Sequence, residues 1–378
     1  MTTLWNDIFL KQLFCMLGLK SSSHPTAGKQ RHKVPQISMD WLSLSQPSMD
    51  YSRTVYDSDG VALILHKEDV LTHGGEGIIY KFRRNPSFLI KVCKDDTLRD
   101  RCKHAAFKDR LNAMLTLKEC QNASFLAWPL MPIFDADKET IGFVMRKKTG
   151  RTLRALYAPC QVKRFFPRWN RMNVTQVALN LVNAIQMLAR HRVLVNDFNP
   201  DNFLVDSSGN IGLIDCDSYQ IPGAGIKQNT FLTHTFTPEY TAPELLFHPE
   251  LFNQERTPEQ VRFSLAIVVY MILMSGLHPY AQCGGGSPVE NLKSGKCPLD
   301  KSLGSRLPVG WYKSISWLPK SLHDYFVRMF VVGHQIPTRR PMIRELKEEL
   351  VNFMNIMEKS NNPNQRAICP ENARRMKK

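Results

Sequence analysis

The sequence predicts an α+β chain of two lobes, a small sheet-rich one followed by a larger helical one. Three observations carry this. Between 61 and 92, short apolar runs alternate with turn residues, as strands do. From 174 onward, apolar residues recur at helical spacing. Between these regions, the apolar run Ile141-Gly-Phe-Val-Met145 passes into the polar Arg146-Lys-Lys-Thr-Gly150, where one lobe gives way to the other.

In order along the chain, Leu4, Trp5, Ile8, Phe9, Leu13, Phe14 and Leu17 have helical spacing, so residues 1–19 read as an amphipathic N-terminal helix. Docking on the body or on a partner is its expected role, and membrane-surface binding is the lesser reading. Residues 20–55, rich in Ser, Pro, His and Gln, read as a linker. The small lobe then spans 56–148. Its strands are Val61–Leu65, Ile78–Tyr80, Phe88–Val92 and Ile141–Met145, with a helical stretch from Leu98 to Lys118. The large lobe spans 149–357. Val174–Arg190 has an apolar helix face, and Phe263–Met274 is apolar all round, as a fully buried helix would be. Leu322–Val332 and Met342–Met357 finish the body, and 358–378 form a basic polar tail.

At 378 residues with 43% hydrophobic content, the chain can bury a large core without disulfides. Its nine cysteines are scattered and show no metal-ligand spacing, so they read as reduced thiols of a cytoplasmic protein. The formal charge of +16 suits anionic partners such as nucleotides and acidic proteins. No signature of a nucleic-acid-binding module accompanies it, so no specific nucleic-acid partner is expected. No run reaches the length of a membrane span.

The chemistry concentrates in VNDFNPDNFLVDSSGNIGLIDCDSY, residues 195–219. Asp197 and Asn202 lie in a polar loop. A strand, a Ser-Ser-Gly-Asn turn and a second strand follow, ending in Asp215, eighteen residues after Asp197. Two carboxylates and an amide so placed can orient a hydroxyl and hold a divalent metal, the layout of phosphoryl transfer. Upstream, Thr72-His-Gly-Gly-Glu-Gly77 joins two strands. Its glycines suit either a hairpin turn or a close approach to phosphate. Lys91 follows in an apolar strand, where it is either a solvated edge residue or a cation for nucleotide phosphates.

With these residues in order, the chain resembles a eukaryotic-like protein kinase. It is similar in particular to the bacterial branch with a Gly-Gly-Glu-Gly loop and an Asp-Cys-Asp-Ser motif, whose members are often associated with PP2C-type phosphatases and von Willebrand A-domain proteins. The resemblance covers about 60–355. It rests on Gly74, Gly75 and Gly77, on Lys91, on Asp197 with Asn202, on Asp215-Cys-Asp-Ser218, and on Phe236-Thr-Pro-Glu-Tyr-Thr-Ala-Pro-Glu244. Phe263-Ser-Leu-Ala, His278-Pro-Tyr and Arg340-Pro follow in the expected order.

The resemblance implies a bilobal protein-kinase-like fold, with a small antiparallel-sheet N-lobe and a larger helical C-lobe. It also implies ATP as phosphoryl donor, Mg²⁺ (or Mn²⁺) as metal, and a protein substrate. By the same resemblance, Asp197 accepts the proton of the attacking hydroxyl, and Asn202 and Asp215 hold the metal. Gly74, Gly75, Gly77 and Lys91 serve the phosphates. Met145 shapes the adenine pocket, with Arg146–Lys148 as hinge. Ala242-Pro-Glu244 anchors the substrate-presenting segment.

Several positions depart from the family pattern. Thr72 replaces the first loop glycine. Asn196 replaces an Arg that reads activation-loop phosphorylation, so no strict dependence on that modification is expected. Asn199 replaces a lysine beside the γ-phosphate, which implies slow turnover. Cys216 and Asp217 replace Phe and Gly, and Asp217 restricts the segment. Val261 stands where an Asp often caps the catalytic loop. The helix after Lys91 has no glutamate before Glu119. Asp109 is then the nearest acid for Lys91, or else a solvated helix residue.

The expected function is a Ser/Thr protein kinase. A nucleotide-binding pseudokinase acting as scaffold or sensor is the alternative, and a small-molecule phosphotransferase the third reading.

Overall fold

The computed structural model describes residues 52–74, 77–223, 230–233, 235–303, 306–307 and 315–368. The N-terminal helix expected over 1–19, most of the linker, Gly75 and the end of the tail lie outside them.

Seven antiparallel strands form the first lobe. They are β1 (Arg53–Tyr56), β2 (Ala62–Leu65), β3 (Val70–His73), β4 (Gly77–Lys81), β5 (Phe88–Cys93), β6 (Pro129–Phe134) and β7 (Thr140–Arg146), in the order β2-β1-β6-β7-β5-β4-β3. β5 is interior, between β4 and β7, and is buried from Ile90 to Cys93. Strand alternation sorts its side chains. Ile90 and Val92 join Val55, Tyr80, Ile133 and Val144 in the core of the sheet. Lys91 pairs across the strand with Phe143, whose ring belongs to the other core, beneath the helices. Register alone therefore turns Lys91 toward the helical body.

β1 begins inside the stretch that composition gives to the linker. Residues 53–55 are strand because Thr54 and Val55 pair with Ile64 and Leu63. The single helix expected from Leu98 to Lys118 is three: Asp95–Arg99, Arg101–Thr116 and Lys118–Asn122. Asp100 breaks the first from the second and caps the new start, accepting from the backbone N–H of Cys102 and Lys103.

The second lobe is mostly helical. Its central helix, Pro258–Leu273, is buried from Gln260 to Leu273. Thr257, Pro258 and Gln260 open it with a capping box. Helix Arg171–Arg190 packs against it and against Ile343–Lys359. The cation–aromatic stretch 163–171 is a packed connection, with Phe166 stacked on Trp169 at 4.0 Å. A small sheet, β8 (Arg151–Thr152), β9 (Phe203–Val205) and β10 (Ile211–Leu213), sits at the top of this lobe. In the tail, Pro363–Arg366 is helical, and Arg366 donates to the carbonyls of Met357 and Glu358. No helix among the described residues is long and apolar enough to cross a membrane.

Candidate active site

The β9–β10 hairpin builds the site. Phe203 pairs with Leu213, and Ile214 N–H donates to Asn202 O at 3.0 Å. That register holds Asn202 and Asp215 at the same end of the hairpin. Asp197, in the loop before it, is held by three donors. Asn202 Nδ2 reaches its Oδ2 at 3.2 Å, the Asn199 N–H its Oδ1 at 3.2 Å, and Thr237 Oγ1 the same oxygen at 2.7 Å. The last bond comes from the segment expected to present substrate, forty positions away. Because Asn202 donates through Nδ2, its carbonyl oxygen is turned to other use.

Asp215 has left-handed backbone angles, φ 59° and ψ 38°. The conformation is uncommon for a non-glycine residue, and Asp is among those that tolerate it. Its carbonyl accepts from Ser218 Oγ at 2.7 Å, which holds the turn. Cys216 follows with its side chain in the core, where burial pushes the thiol well above its ordinary pKa and keeps it protonated.

Lys91 crosses from β5 to meet this turn. Its Nζ donates to Asp217 Oδ2 at 2.6 Å and to Asp215 Oδ1 at 3.4 Å. Asp109, the acid that spacing offers, is instead exposed on its helix. Sequence reading took Asp217 as a lost glycine and did not pair it with Lys91. The second acid of Asp-Cys-Asp was the visible signal.

Burial, then the neighbouring Asp217 charge, pushes Asp215 above the usual carboxylate range, and Lys91 opposes the shift. A divalent cation beside Asp215 would favour its ionised form. The donors present, the Asn202 amide oxygen and the Asp215 carboxylate, are hard oxygens of the kind Mg²⁺ takes. The residues therefore fit the metal that the fold implies.

Of the other expected residues, Met145 is buried on β7, paired with Leu89 and Pro129. In the hinge, the Lys147 N–H donates to Ser87 O at 2.8 Å. In the glycine turn, Gly74 N–H donates to Gly77 O at 2.8 Å. A Cβ on Gly77 would lie 2.5 Å from Val92 O, so this glycine is required by the sheet itself. Asn196 turns its amide inward, and neither amide atom has a hydrogen-bond partner among the described residues. It shares a cavity of about 10 Å³, the room of one water, with Arg256, Thr241 and Ser264. Asn199 Oδ1 accepts from the Arg154 guanidinium at 3.3 Å, and the same guanidinium pairs with Asp201 at 2.8 Å.

The far rim is fixed by ion pairing. Glu244 receives both Nη atoms of Arg340, at 2.8 and 2.7 Å. His278 Nε2–H donates to Glu239 O at 2.8 Å, and the Tyr280 N–H donates to its Nδ1 at 3.2 Å. Both ring nitrogens are thus used by the neutral form, and burial lowers the His278 pKa to about 4.

A sheet lobe with a buried strand lysine and a helical lobe with an Asp/Asn/Asp hairpin, followed by a segment ending in Glu244, define a bilobal fold of the protein-kinase class. The sequence pattern of the protein kinase domain matches residues 65–368, and the chain belongs to that family. It is 28% identical over 229 residues to "Protein kinase YegI" of Escherichia coli K12, covering 60% of this chain and 34% of that protein. It is 30% identical over 126 residues to "Serine/threonine-protein kinase sck1" of Schizosaccharomyces pombe, covering 32% of this chain and 17% of that one. The match thus spans about a third of the length of the first relative.

Proposed function

We propose that the chain is a Ser/Thr protein kinase that transfers the ATP γ-phosphoryl group to protein hydroxyls. The observation that carries this is Asp197, joined to the metal-binding amide Asn202 on one side and to Thr237 of the substrate-presenting segment on the other. One carboxylate thereby faces both the triphosphate and the acceptor. Asp197 orients the acceptor hydroxyl and takes its proton as its oxygen bonds to the γ-phosphorus and the bond from that phosphorus to the β–γ bridging oxygen breaks, releasing ADP. Asn202 and Asp215 would hold Mg²⁺, which would offset charge on the phosphates. Lys91, keeping its contact with Asp217, meets the α/β-phosphates; Gly74, Gly75 and Gly77 are assigned to the phosphates and Met145 to the adenine pocket. Similarity to a named serine/threonine kinase supports the choice of acceptor. A cytoplasmic location rests on the scattered cysteines, and a PP2C-type or von Willebrand A-domain partner on sequence resemblance alone.

Asn199 favours a second reading, a nucleotide-binding scaffold, because it lacks the charge of the lysine that it replaces. Incubation with ATP and Mg²⁺, followed by mass spectrometry, separates the readings. Phosphoserine or phosphothreonine on this chain or on an added protein is the expected result. ATP binding without transfer means a scaffold, and transfer to metabolites alone means a small-molecule kinase.

A further inference from the structure

In protein kinases the strand lysine is held by a glutamate of the following helix. Here the helix Arg101–Thr116 contains no glutamate. It reaches the same region with a cation. Arg110 Nε donates to Asp217 O at 2.8 Å and Nη1 to Leu232 O at 2.9 Å, and Nη2 donates to Tyr219 O. A guanidinium presents a rigid fork of donors, so these bonds fix the helix against the turn in one orientation.

Asp217 is therefore gripped from two sides. Its carboxylate binds Lys91 of β5, and its carbonyl is bound by Arg110 of the helix. Lys91 is 6% exposed and the Asp217 side chain 15%, so solvent screens their contact little. Asp215 also touches Lys91, but at 3.4 Å and with its side chain 40% exposed.

We propose that Asp217 is the positioning acid for Lys91 in place of a helix glutamate, and that Arg110 is the residue that seats it. The acid has moved from helix to loop, and the helix answers with a cation aimed at the loop's backbone. One consequence is that the lysine–acid contact and the seating of the segment after Asp215 form together. The helix needs no inward swing of its own to complete the pair. The role in ATP use rests on the proposed function; the pairing itself does not.

Two measurements test this. The first needs no activity: thermal unfolding of Lys91→Met, Asp217→Asn and the double variant. The expected result is non-additivity, with the double variant melting several degrees above the sum of the single losses. Additive losses would overturn the pairing. The second measures ATP affinity and transfer. Asp217→Asn should raise the KM for ATP tenfold or more with a smaller change in kcat, Asp217→Glu should recover part of it, and Arg110→Gln should reproduce it while Arg110→Lys does so partially. Asp109→Asn should change nothing. A KM shift in Asp109→Asn with none in Asp217→Asn would overturn the assignment. Wild-type protein that neither binds nor turns over ATP would defeat the proposed function, and the unfolding cycle would still decide the pair. Should Asp217→Asn fail to fold, Asp217→Glu enters the cycle in its place, with a reduced but non-zero coupling expected.

Discussion

Lys91 and Arg340 are both buried cations with carboxylate partners, and they are held in different ways. Arg340 sits in the helical lobe with its side chain fully buried. Both Nη atoms meet Glu244, Nε donates to Gly333 O, Nη1 also reaches Glu259 O, and the guanidinium lies 4.6 Å over the Phe263 ring. Lys91 sits at the junction of the lobes on a flexible stem, 2.6 Å from Asp217 and 3.4 Å from Asp215. Arg340 is tied into a finished structure. Lys91 holds Asp217 closely and Asp215 loosely, as the proposed contact with a phosphate would require. The site therefore has a fixed rim at Arg340 and Glu244 and an exchangeable rim at Lys91, where the proposed function puts the nucleotide.

The largest effect expected from breaking this contrast is on stability at the fixed rim. Glu244→Ala leaves a buried guanidinium without its carboxylate and should cost about 3–5 kcal/mol, measured by denaturant unfolding. A loss under about 1 kcal/mol would mean that the fixed rim is no firmer than an exposed ion pair.

Acid should loosen the same rim through His278. Its folded pKa of about 4 lies below the ordinary 6.5, so the folded protein resists a proton that the unfolded chain accepts. The stabilising effect is full above about pH 6.5 and is lost as the pH falls toward 4. The total approaches roughly 3 kcal/mol. His278→Asn should flatten the slope of stability against pH in that window, and an unchanged slope would exclude His278 as its source.

The smallest expected effect is at Thr237, where the two rims meet. Thr237→Val removes one hydrogen bond to a charged acceptor, worth about 1.5–3 kcal/mol. Transfer should slow by about tenfold or more, the melting temperature should fall by a few degrees, and Thr237→Ser should restore both. Equal slowing in Thr237→Ser would assign the effect to packing instead of the hydroxyl.

The exchangeable rim was only half legible in the sequence. The Asp197–Asp215 hairpin could be read because its polar loop, apolar strands and turn are contiguous. β5 and β7 could be read because they are apolar runs. β6 escaped because Pro129 and Pro132 argue against a strand. β3 escaped because three of its four residues are exposed. The acid on Lys91 comes from 126 positions away, and no local spacing announces it. Arg110 was invisible for a different reason: its targets are backbone carbonyls, which every residue carries. Thr237 was visible as one of two threonines in Phe236–Glu244, but only the fold sets its hydroxyl 2.7 Å from Asp197.

The most direct test of the account is the initial rate of γ-phosphoryl transfer from ATP with Mg²⁺, comparing wild type with Asp197→Asn. Loss of the base should lower the rate by roughly 10²–10⁴-fold while ATP affinity stays within a few-fold. Equal rates in the two proteins would contradict the assignment of Asp197 as the base that activates the acceptor.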